Sequence, residues 1–586
     1  MGCRTSAPSS TGPEAGRSLR LHITSAGVPP ETLVPGRDLV LRLPDGHGLD
    51  VAVGVAADDY LDIAARRAID QAALVSWSRW RAVYDAPLTV ERVVLPFVSE
   101  WPLFARLLAR LRAGVALRAA LEANRATELE VGPGSPDDLR MIRAVGRATG
   151  VTTREIGAGP GRGPSAGPSR RVPLRRRAIG AALSAGAPTV LRRGSVLTLT
   201  YWPLVPLVDA LLAAPGERVA IPLDKRPPGV SRGLRCLLQG GWIGKPGARA
   251  RRHAAAAVAG PLERAAAGPA PDLGLQAFDL GECVHRELVR TLSVDAASHL
   301  AMARLLRRAY TRRPPRLVLG TYDTLPLPRL AVSLARERGI RTLLLAHGVY
   351  VMPQSLPDLS IGDEVALWSE VVAPPGLDGR SGVHTVGYPL PAAQRDGTPD
   401  PAKVVVLGQN GHLYTAMFDE RIVVRHFDAA LAAISAARPG ARVVLRPHPI
   451  QPLEPVHDVM RRHRGLDVSV DVKTPILPLL AGAGLCIGSQ SAATLQAALV
   501  GCPVVLLNLT GYDWPWPLGG ETPVPLARSP EELGALLAVS NPGPGTEASA
   551  GALLHGLGAD RPGAVGRLLA LVAGPGPGPG PSAEVL

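Results

Sequence analysis

Lysine and aromatic residues are scarce in this sequence of 586 residues. Only four of its 64 basic residues are lysine, and Phe, Trp and Tyr together make up 4%. The 64 basic against 50 acidic residues give a formal charge of +14, which ordinarily indicates nucleic acid, a membrane surface or an anionic substrate as a partner. No basic run is interleaved with aromatic residues, as a nucleic-acid surface requires. We therefore expect no nucleic-acid partner and retain an anionic substrate or surface.

Cysteine patterns and long apolar runs are also lacking. The five cysteines are scattered and form no C-x-x-C pair, so neither a disulfide framework nor a zinc site is predicted. The N-terminus lacks the apolar segment of a signal peptide. Residues 474–512 carry no charge, but Pro, Gly, Ser and Gln interrupt them, which is typical of a buried α/β core rather than a membrane span. We expect a cytoplasmic protein.

The chain divides by composition into six segments. Hydrophobic residues make up 46%, enough to build packed cores, while 64 Gly and 58 Pro indicate many connections. We predict a disordered N-terminus (1–20), an accessory α/β domain (21–158), a basic Gly/Pro linker (159–194), a first Rossmann-like domain (195–396), a second one (397–570) and a disordered Gly/Pro tail (571–586). The linker is expected to be solvated; its functional alternative is an electrostatic contact with anionic lipid head groups or with a polyanionic acceptor.

Regular alternation of short apolar runs with helical patterns begins after the linker. Such alternation is typical of parallel α/β sheets. The predicted strands of the first unit are 195–201, 218–223, 316–320, 341–346, 364–368 and 384–386; those of the second are 403–407, 442–445, 466–470, 485–487 and 503–507. The sequence therefore predicts the α/β class, with two tandem Rossmann-like domains facing a cleft and a smaller α/β accessory domain before them.

Polar residues follow several of these strands directly, where ligands of open parallel sheets bind. Arg446 and His448, on a turn stiffened by prolines, offer a bidentate donor and an imidazole to an anion. Ser489 and Ser491 precede a predicted helix, whose free N–H groups and dipole favour a phosphate. Each feature also has a structural interpretation, since a serine before a helix is often only an N-cap and a lone histidine is often only a core residue.

Two further strand ends carry polar residues. Gly408, Gln409 and Asn410 form a loop whose two amides could recognise a base, ribose or sugar, or which could be only a turn. His347 follows a strand of the first unit and therefore lies across the predicted cleft from the others. The coincidence of these groups at the ends of strands favours a binding site over four unrelated structural features.

The order of these motifs resembles a known family. The His347-Gly348 pair, the sequence VGYP at 386–389, the LGQ at 407–409, the RPHP at 446–449 and the segment GSQSAATLQAALVGCPVV at 488–505 look like GT-B glycosyltransferases of bacterial surface-carbohydrate synthesis. They are most similar to polysialyltransferases and to CDP-glycerol glycerophosphotransferases. The resemblance covers about residues 195–570.

The resemblance implies roles for the residues singled out. His448 with Ser489 and Ser491 would bind the phosphate of a nucleotide-activated donor, and Arg446 would support its charge. His347 would be the general base that deprotonates the acceptor hydroxyl, or else a donor to the leaving phosphate. Asp323 is the reserve candidate for the base. No metal or other cofactor is expected, since basic side chains and a helix dipole stabilise the leaving phosphate in such enzymes.

Residue 496 departs from the family pattern. Related enzymes often carry glutamate at this position, where it holds the ribose. This chain has Gln496 instead, which we keep as a candidate donor-binding residue at the position of the ribose contact. The donor nucleotide therefore stays open, with a CMP-linked acidic sugar as one candidate.

The resulting hypothesis is a metal-independent glycosyltransferase that moves a sugar onto a capsular or other cell-surface glycan. The acceptor would be anionic or lipid-linked, with peripheral contact to the inner face of the cell membrane. Two alternatives are a sugar-nucleotide 2-epimerase, which needs no acceptor, and a non-catalytic partner in glycan synthesis that keeps the fold.

Overall fold

The described part of the chain consists of many short segments. The computed structural model describes residues 20–23, 38–42, 55–56, 60–131, 136–155, 189–199, 205–214, 217–222, 236, 238–273, 280–321, 325–346, 361–369, 377, 380–388, 398–408, 420–448, 451, 453–511, 524–539, 550–555 and 563–574. These residues form two compact units: one comprises Met1–Val83, Phe104–Arg170 and Gly268–Arg290, and the other Tyr84–Leu103, Arg171–Ala267 and Thr291–Leu586.

The first part of the chain contains short strands and long helices. The strands are β1 (Arg20–Ile23), β2 (Asp38–Arg42), β3 (Val55–Ala56), β4 (Thr89–Val90), β5 (Val93–Val94), β6 (Glu128–Val131) and β7 (Thr152–Glu155). The helices are α1 (Ile63–Tyr84), α2 (Leu95–Val98), α3 (Glu100–Ala123) and α4 (Pro136–Thr149).

Five of these strands form a parallel sheet in the order β3-β2-β1-β6-β7. The chain adds strands first on one side of β1 and then on the other, which is the arrangement of a doubly wound sheet. The accessory region therefore holds a Rossmann-like strand order, which sequence analysis predicted only as a smaller α/β domain. The pair β4 and β5 is a separate antiparallel hairpin.

The middle of the chain builds the second sheet. Its strands are β8 (Val190–Leu191), β9 (Val196–Thr198), β10 (Val219–Pro222), β11 (Gly241–Ile243), β12 (Leu317–Gly320), β13 (Arg341–Leu345), β14 (Glu364–Leu367) and β15 (Val383–Thr385). Its helices are α5 (Val205–Ala213), α6 (Ala248–Ala267), α7 (Gly281–Arg312) and α8 (Pro326–Arg336). The order is β15-β14-β13-β12-β9-β10-β11-β8, and β8 alone of these strands runs antiparallel to its neighbour.

The last part of the chain builds the third sheet, which is entirely parallel. Its strands are β16 (Asp400–Leu407), β17 (Arg442–Arg446), β18 (Asp467–Val470), β19 (Ala483–Gly488), β20 (Val504–Leu507) and β21 (Leu526–Ala527). Its helices are α9 (Glu420–Ala437), α10 (Glu454–Arg462), α11 (Ile476–Ala481), α12 (Ala492–Leu499), α13 (Pro530–Val539) and α14 (Ala564–Ala573). The order is β18-β17-β16-β19-β20-β21.

Burial explains why the central strands of these two sheets are mainly apolar. All residues of β10, β12, β13, β19 and β20 are buried, because helices cover both faces of a doubly wound sheet. The predicted fold class is confirmed: the chain is α/β and contains two Rossmann-like domains.

The last helix, α14, returns from the third sheet to the second. It packs against α5, and arginines of the second sheet bind its terminal carbonyl groups. Arg316 donates to the Val572 carbonyl at 2.7 Å and Arg341 donates to the Leu571 carbonyl at 2.5 Å. Cations at a helix C-terminus satisfy its free carbonyls and complement its dipole, so these contacts fix the last helix on the domain of the second sheet.

Candidate functional site

The third sheet reverses its direction of winding between β16 and β19. From β16 the chain proceeds outward to β17 and β18, and it then returns to β19 on the other side of β16. At such a reversal the connections leave on opposite faces and open a crevice at the carboxyl ends of the strands. Gly408 and Ser489 directly follow these two strands, so the structure brings these predicted residues to one edge of the sheet.

Gly408 occupies a tightly packed position at the end of β16. Its N–H donates to the Arg446 carbonyl at 2.8 Å. An added Cβ would lie 2.8 Å from Cζ of Phe427 and 3.0 Å from Oε1 of Gln451, so only glycine fits without displacement of its neighbours. The predicted donor-binding residues Gln409 and Asn410 follow directly and lie outside the described residues.

The segment after β19 is held by Thr494. The Thr494 hydroxyl donates to the Ser489 carbonyl at 2.6 Å, and Ser491 accepts a hydrogen bond from the Thr494 backbone N–H at 3.3 Å. Ser491 has extended backbone angles and is the N-cap of α12. Its structural role as a cap is thus observed, and its predicted role toward a phosphate stays a prediction.

Ser489 differs from Ser491 because its hydroxyl does not cap the helix. The residue is 2% exposed, and its Oγ has no hydrogen-bond partner among the described residues. A buried hydroxyl without a partner costs free energy. It lies one turn before a helix N-terminus, where free N–H groups and the helix dipole favour an anion. The arrangement can therefore offer a hydroxyl to a bound phosphate.

His448 lies on the turn after β17, the other neighbour of β16. The backbone of this turn is closed by Gln451, whose N–H donates to the His448 carbonyl at 2.8 Å. Burial lowers the pKa of the His448 imidazole below its ordinary value of 6.5. The ring is therefore mainly neutral at pH 7, and a bound anion would favour its protonation.

Arg446 is already engaged in an ion pair. Its Nη1 donates to the Asp471 carbonyl at 2.9 Å and lies 3.4 Å from the Asp471 carboxylate. The pKa of Asp471 is lowered chiefly by a hydrogen bond from the side chain of Thr474, with smaller contributions from backbone N–H groups and from Arg446. The guanidinium thus joins the ends of β17 and β18, and its predicted support of phosphate charge stays a prediction.

Gln496 joins the two Rossmann-like domains. The residue is 5% exposed on α12, and its Nε2 donates to the hydroxyl of Tyr388, which follows β15 of the second sheet. Burial raises the pKa of Tyr388 above its ordinary value, although the bond to Gln496 opposes this shift. The amide predicted as a ribose contact is occupied by this hydrogen bond.

The two predicted catalytic residues, His347 and Asp323, lie outside the described residues. Sequence analysis missed four residues that shape the strand ends. Thr494 and Tyr388 act through the hydrogen bonds given above. Asn508, after β20, accepts hydrogen bonds from the N–H and hydroxyl of Thr510, and His426 on α9 is hydrogen-bonded to the backbone of Leu407. Tyr388 and Thr494 lie within the motifs at 386–389 and 488–505, and Asn508 had a local signal of its own, a strand followed by Asn-x-Thr.

Metal and membrane features were also sought in the parts of the chain that the structure describes. There, no three or more His, Cys, Asp or Glu residues cluster in a way that could hold a metal ion. Within the same residues, every helix is too short or too polar to cross a bilayer.

Several solved structures are similar to this chain. MurG from Acinetobacter baumannii shares 12% identity over 65% of this chain and 99% of its own, with a TM-score of 0.37. A putative UDP-N-acetylglucosamine 2-epimerase from Listeria monocytogenes shares 12% identity over 65% of this chain and 96% of its own, with a TM-score of 0.40. The pneumococcal O-GlcNAc transferase GtfA, in complex with UDP and GlcNAc, shares 9% identity over 47% of this chain and 59% of its own, with a TM-score of 0.33.

These similar structures are GT-B glycosyltransferases and an epimerase of related architecture. At such low identities and TM-scores, the likeness carries no argument about what this chain binds or does. No protein-family model and no curated protein sequence matches the chain.

Proposed function

We propose that this chain is a metal-independent glycosyltransferase that binds the phosphate of a nucleotide-activated sugar at the carboxyl edge of the third sheet. The observation that carries the proposal is the buried hydroxyl of Ser489, which has no hydrogen-bond partner among the described residues and lies just before α12, where the sheet reverses its winding. A phosphate oxygen would satisfy this hydroxyl and the first N–H groups of the helix together.

His448, at the end of the neighbouring strand, also suits a phosphate ligand. His448 lies on the adjacent strand end, and its imidazole would donate a hydrogen bond to the phosphate once protonated. Anion binding raises the pKa of a nearby histidine, so nucleotide affinity should increase as the pH falls into the range where His448 binds a proton. Basic and helix-terminal groups would thus supply the charge stabilisation that a metal provides in other transferases.

The acceptor side of the proposal rests on the sequence resemblance. His347 would remove the proton of the acceptor hydroxyl, with Asp323 as the reserve, and the acceptor would be a cell-surface glycan. A CMP-linked acidic sugar is the donor that the polysialyltransferase-like motifs favour. Closure of the two Rossmann-like domains around the donor would exclude water and align the reacting groups.

A nucleotide screen tests the proposal directly. We expect one of CMP, CDP, UDP and GDP to stabilise the purified protein against thermal unfolding, by about 2.7 kcal/mol at roughly 100 times its Kd. His448→Ala should reduce this stabilisation. Stabilisation by none of the four nucleotides would contradict the proposal and favour a non-catalytic partner in glycan synthesis. Incubation with the sugar nucleotide but no acceptor distinguishes an epimerase, which would release an altered sugar.

Ser489→Ala should weaken nucleotide binding without lowering the stability of the free protein. We expect nucleotide affinity to fall roughly tenfold, because a hydrogen bond to a charged group contributes about 1.5 kcal/mol or more. The free protein should lose no stability, since the variant removes a buried hydroxyl that has no partner. Isothermal titration and chemical denaturation measure the two effects.

Ser491→Ala is the matched control for Ser489→Ala. It removes the observed N-cap of α12 and should cost about 1 kcal/mol of stability. If Ser489→Ala destabilised the free protein and left nucleotide affinity unchanged, the hydroxyl would be a structural group and the proposed site would be wrong.

A further inference from the structure

A strongly cationic groove lies at the outer edge of the second sheet, away from the strand ends of the third. It has a volume of about 920 Å³ and is lined by the edge strand β8, the start of α6 and the second half of α7. Six exposed basic side chains line it: Lys245, Arg249, His253, Arg308, Arg312 and Arg313. A seventh, Arg304, is paired with the carboxylate of Glu91 at 2.8 Å.

No acidic side chain of the described residues pairs with the exposed basic side chains of this groove. Among the described residues, none of the six makes a hydrogen bond or an ion pair through its side chain, and none of the groove-lining residues is acidic. Like charges that share a concave surface repel one another, and the low dielectric of the walls focuses their field. A bound polyanion would relieve this repulsion.

The lining indicates which kind of polyanion fits. Single-stranded nucleic acids bind on aromatic side chains that stack with the bases, and membrane-surface segments insert large apolar or aromatic residues. The described residues that line the groove include no Phe, Trp or Tyr. Their larger apolar members are Val190, Leu191 and Leu305, of which Leu191 is buried and the other two are partly buried, so none projects freely from the surface. A hydrophilic chain with regularly spaced negative charges matches this surface better.

Arginine supplies most of the recognition chemistry. Its planar guanidinium binds carboxylate and phosphate groups through two parallel hydrogen bonds. Arg308 and Arg312 are four residues apart on α7, so they lie on one face of the helix and can contact successive charged groups of one chain.

We propose that this groove binds an anionic polysaccharide, a sugar chain that carries a carboxylate or phosphate on its repeating unit. The inference deepens the proposed function, on which it rests, because it assigns the chemical class of the acceptor and a place where the acceptor is held outside the reaction site. Binding through a remote groove would keep a growing chain attached between successive transfers.

Charge reversal in the groove tests this proposal. The probe is a fluorescently labelled oligogalacturonate, measured by anisotropy, with a neutral maltodextrin of equal length as the comparison. We expect the full-length protein to bind the oligogalacturonate and not the maltodextrin, and to bind more weakly as salt rises. The double variant Arg308→Glu/Arg312→Glu should bind at least roughly tenfold more weakly, because like charges would now face each other.

The matched control is Arg251→Glu/Arg252→Glu, which reverses two exposed arginines of α6 that do not line the groove. This variant changes the net charge equally and should retain most of the binding. If it lost as much affinity as the groove variant, the interaction would be a general effect of net charge and the proposal would be wrong. The milder Arg308→Gln/Arg312→Gln should also bind more weakly, which covers the case in which the glutamate variant fails to fold.

Other ligands are tested in parallel. Groove-dependent binding to a single-stranded oligonucleotide, or flotation with phosphatidylglycerol vesicles, without binding to oligogalacturonate would overturn the proposal in favour of that ligand. Nucleotide stabilisation, measured on the same variants, should be unchanged. If the groove proposal is wrong, oligogalacturonate binding is lost or does not depend on the groove while nucleotide stabilisation persists. If the donor site is wrong, nucleotide stabilisation is absent, so the two failures give different results.

Discussion

Replacing Glu100 with alanine is expected to lower the free energy of unfolding by about 3 to 5 kcal/mol, since it would leave a buried cation without its carboxylate. Arg329, on α8, is 1% exposed and forms an ion pair with Glu100, the first residue of α3. The guanidinium also donates to the Phe97 carbonyl at 3.0 Å and lies 4.6 Å from the centre of the Phe97 ring. These contacts fix the segment before α3 on the face of the second sheet that α8 covers.

The measurement for Glu100→Ala is chemical denaturation with Arg118→Ala as a control. Arg118 pairs with Glu122 on the surface of the same helix, with side chains 37% and 55% exposed, and such i,i+4 pairs contribute only about 0.3 to 0.5 kcal/mol. The double variant Glu100→Leu/Arg329→Met should recover much of the lost stability, because well-packed apolar residues often replace a buried ion pair without cost. Equal losses in Glu100→Ala and Arg118→Ala would show that the buried charge is not the cause.

The central strands of the sheets were predictable because burial on both faces leaves a direct mark on the sequence. The runs that became β12 and β13 contain almost only Leu, Val and Thr between helical patterns, and the structure places both strands within two residues of their predicted ends. The edge strand β8 and its neighbour β11 are two and three residues long. Such short strands depend on their neighbours in space, so no local pattern indicated them.

The sequence predicted which residues of the candidate site follow strands, but not the contacts that these residues make with distant parts of the chain. The rule that ligands bind beyond the carboxyl ends of parallel strands located Gly408, His448 and Ser489 correctly at strand ends. It could not indicate that Arg446 pairs with Asp471 or that Gln496 bonds to Tyr388, 108 residues earlier. Both contacts join groups that are distant in sequence, and they arise only when the strands are paired and the domains packed.

His426 is expected to make the free energy of unfolding strongly dependent on pH. Burial lowers the pKa of its imidazole from 6.5 to about 4, although the hydrogen bond to the backbone of Leu407 opposes the shift. The residue is 4% exposed, and its Nε2 has no partner among the described residues. Protonation would therefore place an uncompensated charge beneath the end of β16, next to Gly408.

The sign of the pH effect follows from this lowered pKa. The unfolded chain binds a proton at His426 near pH 6.5, whereas the folded protein binds it only near pH 4, so stability decreases as the pH falls between these values. The expected loss from this group is about 3 kcal/mol. His426→Asn keeps a hydrogen-bond donor and removes the titration, so its stability should depend less steeply on pH in this range.

The slope of unfolding free energy against pH, rather than stability at one pH, is the informative measurement. Carboxylates also contribute to the loss of stability in acid, but they are the same in both proteins, so the difference in slope isolates His426. His457→Asn, at an exposed position on α10, is the control and should keep the original slope. Equal slopes for His426→Asn and the original protein would show that protonation of His426 does not destabilise the folded protein, and the prediction would be wrong. If the slopes differ as expected, protonation of His426 in acid should also disturb the Gly408 turn and weaken nucleotide binding, whereas protonation of His448 would strengthen it.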